Sequence, residues 1–326
     1  MLWLRRSQTL MLFWIIMMLA SCATSADTLP RLAVKSSYRV GFSQTGNTSP
    51  WRLAETASMK DEAAKRGYEL IYTDAEELDE KQLADIDYLI GQDVDVLFIA
   101  PRSETALGHA VIKAKQAGIP VILLDRDVDH AIAQPGRDYV TVIQSDFVAE
   151  GSRAADWLIA AMNGNAIIVE LEGTTNSTPA KGRKQGFAQQ IKAHPGMQIV
   201  AAESADFTRD QGRRVMTTLL EAHPNLTAVY AHNDEMAIGA IAALEAAGKI
   251  PGKDVIVVSI DGERDALQAI IDGTLGASVE CNPRFGPIAF DTLDRYARGE
   301  AIPPMIINPD RFFDRTNAQQ ELQNAY

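Results

Sequence analysis

Asp125 and Arg126 follow directly on four apolar residues, Val121 to Leu124. An apolar run without alternation reads as a strand buried on both faces. A carboxylate and a guanidinium at its end can accept and donate hydrogen bonds in fixed directions. The same placement recurs along the chain. Trp51 and Arg52 come shortly after the apolar start at Tyr38 to Ser43. Asn233 follows Tyr230-Ala-His, Asp261 follows Val258-Ser-Ile, and Glu280 follows Ala277-Ser-Val. Arg183 begins the second turn of a helix expected from Pro179. Any one of these could cap a helix or shape a turn, and Asp127 is read only as a loop residue. As a set they place carboxylates, an amide, guanidinium groups and an indole at the same end of parallel strands, where open α/β sheets hold their ligands. Such a mixture suits vicinal hydroxyls, with the indole for an apolar C–H face. Balanced charge favours a neutral polar ligand over a phosphate.

The elements that must position these residues alternate strictly. Ser49-Pro50 is an N-cap followed by proline at the first helical position, and Gly67 stops that helix. Strand and helix then follow one another to about Arg298, with Met305 to Ile307 as a last strand. Strict alternation means parallel βαβ units with right-handed crossovers. There are too many units for one sheet, so the expectation is an α/β protein of two doubly wound parallel-sheet lobes, changing near Asp146.

Composition narrows the function classes. The chain has 326 residues, 46% hydrophobic and 23% charged, with a net charge of −12. Those values suit a two-domain globular protein, and the acidic balance argues against a nucleic-acid partner. No G-x-G, no phosphate loop, no G-x-S-x-G and no metal-ligand spacing among the five histidines occurs. The reading is therefore of a non-enzyme without cofactor or metal. Cys22 and Cys281 are the two cysteines, and no structural disulfide is expected. Arg5-Arg6 followed by the apolar Leu10 to Ala20 reads as an export leader. Two cleavage readings compete, a lipobox ending at Cys22 and signal-peptidase cleavage after Ala26. Either puts the mature protein outside the cytoplasm. Residues 27–37 read as a tether.

The motifs together resemble the periplasmic sugar-binding proteins of ABC importers, in the ribose/galactose class and nearest its galactofuranose-binding branch. The stretches that carry the resemblance include Trp51-Arg52-x-x-Glu55-Thr56, Ile119-Pro-Val-Ile-Leu-Leu-Asp-Arg126, Tyr230-Ala-His-Asn-Asp234 and Ser259-Ile-Asp-Gly262. It spans about Tyr38 to Arg298. The resemblance implies a type I binding-protein fold, two lobes on a three-segment hinge near Ser145, Asn282 and Asn308. The lobes would be residues 38–145 with 283–308, and 146–282 with 309–326, after a leader of residues 1–26. Thr48, Trp51, Arg52, Asp125 and Arg126 would hold a monosaccharide from the first lobe, with Trp51 stacked on the ring. Arg183, Asn233, Asp261 and Glu280 would hold it from the second, with Phe207 as a second aromatic. The implied partner is an ABC permease in the inner membrane, the implied state a monomer, with membrane contact only through a lipid at Cys22. A sugar sensor presenting its closed form to a membrane kinase or chemoreceptor is the alternative. A transcription repressor on the same core would need an N-terminal helix-turn-helix, where this chain has its apolar leader.

Overall fold

The computed structural model describes residues 28–326, so the leader, Cys22 and both cleavage readings lie outside the described residues. The first six-stranded sheet has the order β11-β5-β4-β3-β1-β2. Its strands are β1 (Arg39–Gln44), β2 (Glu69–Asp74), β3 (Val96–Ile99), β4 (Val121–Leu124), β5 (Thr141–Gln144) and β11 (Met305–Ile307), all paired in parallel. Helices α1 (Pro50–Arg66), α2 (Asp79–Ile90) and α3 (Glu104–Gln116) connect them. β3 and β4 are buried at every position, as an apolar run covered on both faces requires.

The second sheet has the order β12-β10-β9-β8-β6-β7. It contains β6 (Ala166–Glu172), β7 (Met197–Ser204), β8 (Ala228–Ala231), β9 (Ile256–Asp261), β10 (Ala277–Glu280) and β12 (Phe312–Asp314). Helices α4 (Phe147–Ala161), α5 (Thr178–Ile191), α6 (Arg209–Ala222), α7 (Asp234–Ala246) and α8 (Arg264–Asp272) cover it, while α9 (Gly286–Ala297) packs back on α1 of the first lobe. There the Gly286 N–H donates to Ser58 Oγ at 2.9 Å.

Polar side chains start several of these helices. Ser49 Oγ accepts from Arg52 N at 3.2 Å, Asp146 Oδ1 from Ala149 N at 2.9 Å and Asn233 Oδ1 from Met236 N at 3.0 Å, each satisfying an orphan N–H of a first turn.

Two differences from the sequence reading have physical causes. β12 runs antiparallel to β10, because the chain re-enters the second sheet from a short crossing rather than through a helix. Residues 28–37 do not hang free. Leu32 is buried in the first lobe's core, and Tyr296 Oη donates to Pro30 O at 2.7 Å. Asp127 lies in the loop after β4, as read, and is buried there: its carboxylate accepts from Tyr139 Oη at 2.6 Å and Val128 N at 2.8 Å, and faces His130 Nε2 at 2.9 Å.

Three segments cross between the sheets, after β5, after β10 and between β11 and β12. One carboxylate ties them together. Asp310 Oδ1, in the third segment, accepts from Ser145 Oγ of the first at 2.9 Å and from Asn282 N of the second at 2.8 Å. Asn308 Nδ2 adds a 2.8 Å bond to Asn282 O.

Candidate functional site: a cleft between two arginine forks

The C-terminal ends of both sheets face one another across a cavity of about 150 Å³. An engineered cavity of about that size holds one six-membered ring. Residues 48, 51, 52, 125 and 126 line it from one side, and residues 183, 207, 233 and 261 from the other.

On the first wall, Arg52 rises from the opening turn of α1 and is 7% exposed. Its Nη1 donates to Glu55 Oε2 at 2.8 Å and its Nη2 to Asp125 Oδ2 at 2.7 Å. Glu55 lies one helical turn on, the spacing at which side chains of one face meet. Burial opposes the charge on Arg52, but Asp125 and Glu55 outweigh it and hold the guanidinium above its ordinary range. Asp125 sits at φ 63°, and Arg126 N donates to Leu124 O at 2.6 Å, closing a three-residue turn. Such a left-handed turn is rare and strained. It turns the carboxylate out of the strand toward Arg52.

The second wall repeats the device. Arg183 Nε donates to Glu150 Oε2 at 2.7 Å, Nη1 donates to His232 O at 2.6 Å, and Nη2 lies 3.5 Å from Asp261 Oδ1. Burial pushes the Asp261 carboxyl well above the usual range, with Arg183 pulling the other way. Behind this wall His232 Nε2 lies 2.9 Å from Glu170 Oε1, while Nδ1 receives Gly173 N at 3.3 Å. With Nδ1 accepting, the proton is on Nε2, and burial keeps the ring neutral by lowering its pKa.

Asn233 lines the cleft and also caps α7, and its Nδ2 donates to Phe207 O at 3.1 Å. Phe207 stands at φ 57° with its ring over Gly173, where any Cβ would collide with it. Both Arg126 and Arg183 lie 5.7 Å from its centroid. The two lobes also touch directly, through Lys181 Nζ to Glu104 Oε2 at 2.7 Å and Asp127 N to Thr178 Oγ1 at 3.3 Å.

One expected site residue has other work. Glu280 is not in the cavity wall. Arg311 grips its carboxylate with Nε at 2.9 Å, Nη2 at 2.7 Å and the backbone N–H at 2.8 Å, so Glu280 fastens the third crossing segment. Trp51 borders the cavity but is 6% exposed. Its Nε1 donates to Cys281 O at 2.7 Å, Phe285 meets its edge, and Arg52 lies 4.6 Å over its ring. Arg52 thus covers one face of the indole. Thr48 is exposed at the rim.

Sequence reasoning passed over the carboxylates that set the forks, Glu55 and Glu150, and Asp234 beneath Asp261. Asp234 accepts from Gly262 N at 2.7 Å and Glu263 N at 2.8 Å, fixing the turn after β9. It also passed over Glu77, which lines the first wall. Glu77 follows the end of a parallel strand, the signal that found the others, but it sits in an acidic run that reads as a solvated loop.

A family model described as a periplasmic binding protein domain matches residues 40–301. The chain belongs to the periplasmic binding protein family. It is 38% identical over 315 residues to the galactofuranose-binding protein of Escherichia coli (strain K12), covering 95% of this chain and 98% of that one. The ribose import binding protein of the same organism is 35% identical over 286 residues, 87% and 93% of the two chains. Among solved structures, the periplasmic binding component of the arabinose ABC transporter from Shewanella sp. ANA-3, bound to α- and β-L-arabinofuranose, superposes with a TM-score of 0.84 at 38% identity. That match covers 88% of this chain and 95% of that one. The match bears out both the family resemblance and the two-lobed α/β fold, and it places the chain among binding proteins rather than enzymes. No helix among the described residues is long and apolar enough to cross a membrane.

Proposed function

We propose that this protein captures one neutral monosaccharide, galactofuranose or a related aldose, between its lobes and delivers it to an ABC permease. The pair of arginine forks carries the reading. Each guanidinium is fixed from behind by buried carboxylates, so its remaining N–H groups and the flanking carboxylate oxygens face the cavity with set directions. Ring hydroxyls need that alternation of donors and acceptors. Asp125, Arg52 and Arg126 take the hydroxyls on one side, with Thr48 at the rim, and Arg183, Asn233 and Asp261 take those on the other. Trp51 and Phe207 both border the cavity and are the aromatics for the C–H face. The relatives' furanose ligands support the ring form, and their import names support the permease.

The proposal extends to where and how the protein works. It acts outside the cytoplasm as a monomer, held to the membrane through Cys22 if the lipobox is used. Its lobes are residues 38–145 with 283–308, and 146–282 with 309–326. Titration calorimetry of the mature protein against a panel of aldoses, galactofuranose included, tests the core of it. A dissociation constant well below 1 mM, about −4 kcal/mol, is expected for at least one furanose-forming aldose. Failure of the whole panel to reach that value overturns the reading.

A further inference from the structure

The forks leave one cation of the cleft poorly compensated. Arg126 Nε lies 3.5 Å from Asp125 Oδ2, an oxygen that Arg52 already holds at 2.7 Å. Its Nε has no hydrogen-bond partner among the described residues, and Nη1 reaches only Arg102 O at 3.3 Å. Burial, then the charge of Arg52, lower the Arg126 pKa to about 10. A buried guanidinium with an unsatisfied N–H is an attractive point for an anionic ligand.

Glu77 stands on the same wall, and its position is built. Glu76 and Glu77 adopt φ 52° and 61°, left-handed backbone that non-glycine residues rarely take. Glu77 N donates to Thr45 O at 2.9 Å, and Arg102 Nε donates to Glu77 O. Position 46 is glycine, and a Cβ there would collide with the Glu77 carboxylate. The side chain is 44% exposed and lines the cavity. Its negative charge acts on both Arg52 and Arg126. Its Oε2 also lies 3.9 Å from Arg102 Nε, and among the described residues no helix cap or core contact holds the carboxylate there.

We propose that Glu77 is a specificity determinant: it offsets the charge of Arg126 so that the cleft admits neutral sugars and rejects sugar acids. The assignment rests on the sugar-binding reading above. A uronate or aldonate brought against Arg126 would meet Glu77 as a like charge in a partly desolvated wall, and like charges juxtaposed there disfavour the wrong partner.

The test compares the neutral aldose that binds best with D-galacturonate and D-galactonate, by calorimetry on the mature protein. The readout is the ratio of acid to neutral dissociation constants. In the wild type this ratio should exceed 100. Glu77→Gln and Glu77→Ala should each lower it at least tenfold, and the gain should shrink as salt is raised. Adding Arg126→Gln to Glu77→Gln should restore most of the ratio, because the unmasked cation is then gone. Thermal melts confirm that the variants are folded. A ratio unchanged in both single variants, or a gain that survives loss of Arg126, overturns the assignment while sugar binding stands. A wild type that binds no aldose at all overturns the sugar-binding reading, and this assignment with it.

Discussion

Asp125→Asn tests the first fork with little else disturbed. Asparagine tolerates the left-handed φ of 63° nearly as well as aspartate does, so the turn stays as it is. The amide oxygen can still accept from Arg52 Nη2, now 2.7 Å from Asp125 Oδ2. Glu55 still neutralises Arg52 from the other side at 2.8 Å. What disappears is the charge. One charge-assisted hydrogen bond, that from a sugar hydroxyl, becomes a neutral one, while Arg52 keeps its own charge and still donates to the amide oxygen. Charge assistance contributes about 1–2 kcal/mol per bond over a neutral pair. That ~1–2 kcal/mol corresponds to a dissociation constant raised roughly 5- to 30-fold. Calorimetry at fixed pH and salt reads that change, and a melt of the sugar-free protein should fall only slightly. Asp125→Ala should cost about 1–2 kcal/mol more in stability, since alanine resists left-handed backbone. An Asp125→Asn dissociation constant within threefold of the wild type refutes the reasoning and removes Asp125 from the sugar's surroundings.

Three further outcomes follow from the partners described above. Trp51→Phe strips the 2.7 Å bond to Cys281 O and should destabilise the sugar-free protein by ~1–3 kcal/mol; an unchanged melting temperature with weakened binding would mean that the indole works on the ligand instead. Glu280→Gln should lower the melting temperature through loss of the Arg311 clasp, by about 1–2 kcal/mol for this partly exposed partner, while sugar affinity stays within twofold; a tenfold loss of affinity would return Glu280 to the cleft. Burial, then the charge of Glu150, raise the Asp310 carboxyl to about 7. The folded state thus holds this proton more tightly than the unfolded chain does, so the stability it contributes is complete below about pH 4 and is lost as pH rises through 7. The loss is at most ~4 kcal/mol and less in practice, because the group is only partly shielded from water. Asp310→Asn should therefore flatten the decline in melting temperature between pH 5 and pH 8; superimposable profiles would refute the assignment.

Much of this was legible in the sequence, for reasons that also mark where it stopped. Val121 to Leu124 and Val96 to Ile99 announce buried parallel strands because a sheet covered on both faces leaves no polar alternation. Ser49-Pro50 and Asn233 announce helix starts through local chemistry alone. The positions of Asp125, Arg126 and Asp261 follow from strand ends, which topology gathers on one side. Long-range partners leave no local trace. Nothing near Trp51 says that its N–H meets a carbonyl 230 residues away. Glu280 and Asp261 look alike in sequence, each ending a strand. They part only because β10 neighbours β12, which brings Arg311 to Glu280. β12 itself is three residues long, too short for a period to show. Glu77 was hidden by its acidic neighbours and by a backbone conformation that composition does not reveal.

The carboxylate shared by the three crossing segments bears on affinity without touching the cleft. A ligand walled in by two lobes binds the closed arrangement, and its apparent dissociation constant is the intrinsic one divided by the closed fraction. Any change at Ser145, Asn282 or Asp310 that makes closure harder weakens binding by that same factor, with every contact to the sugar intact. Tenfold tuning needs only about 1.4 kcal/mol at the crossing, the scale of one or two hydrogen bonds. Selection on capture strength can thus act at the crossing and leave the choice of sugar alone.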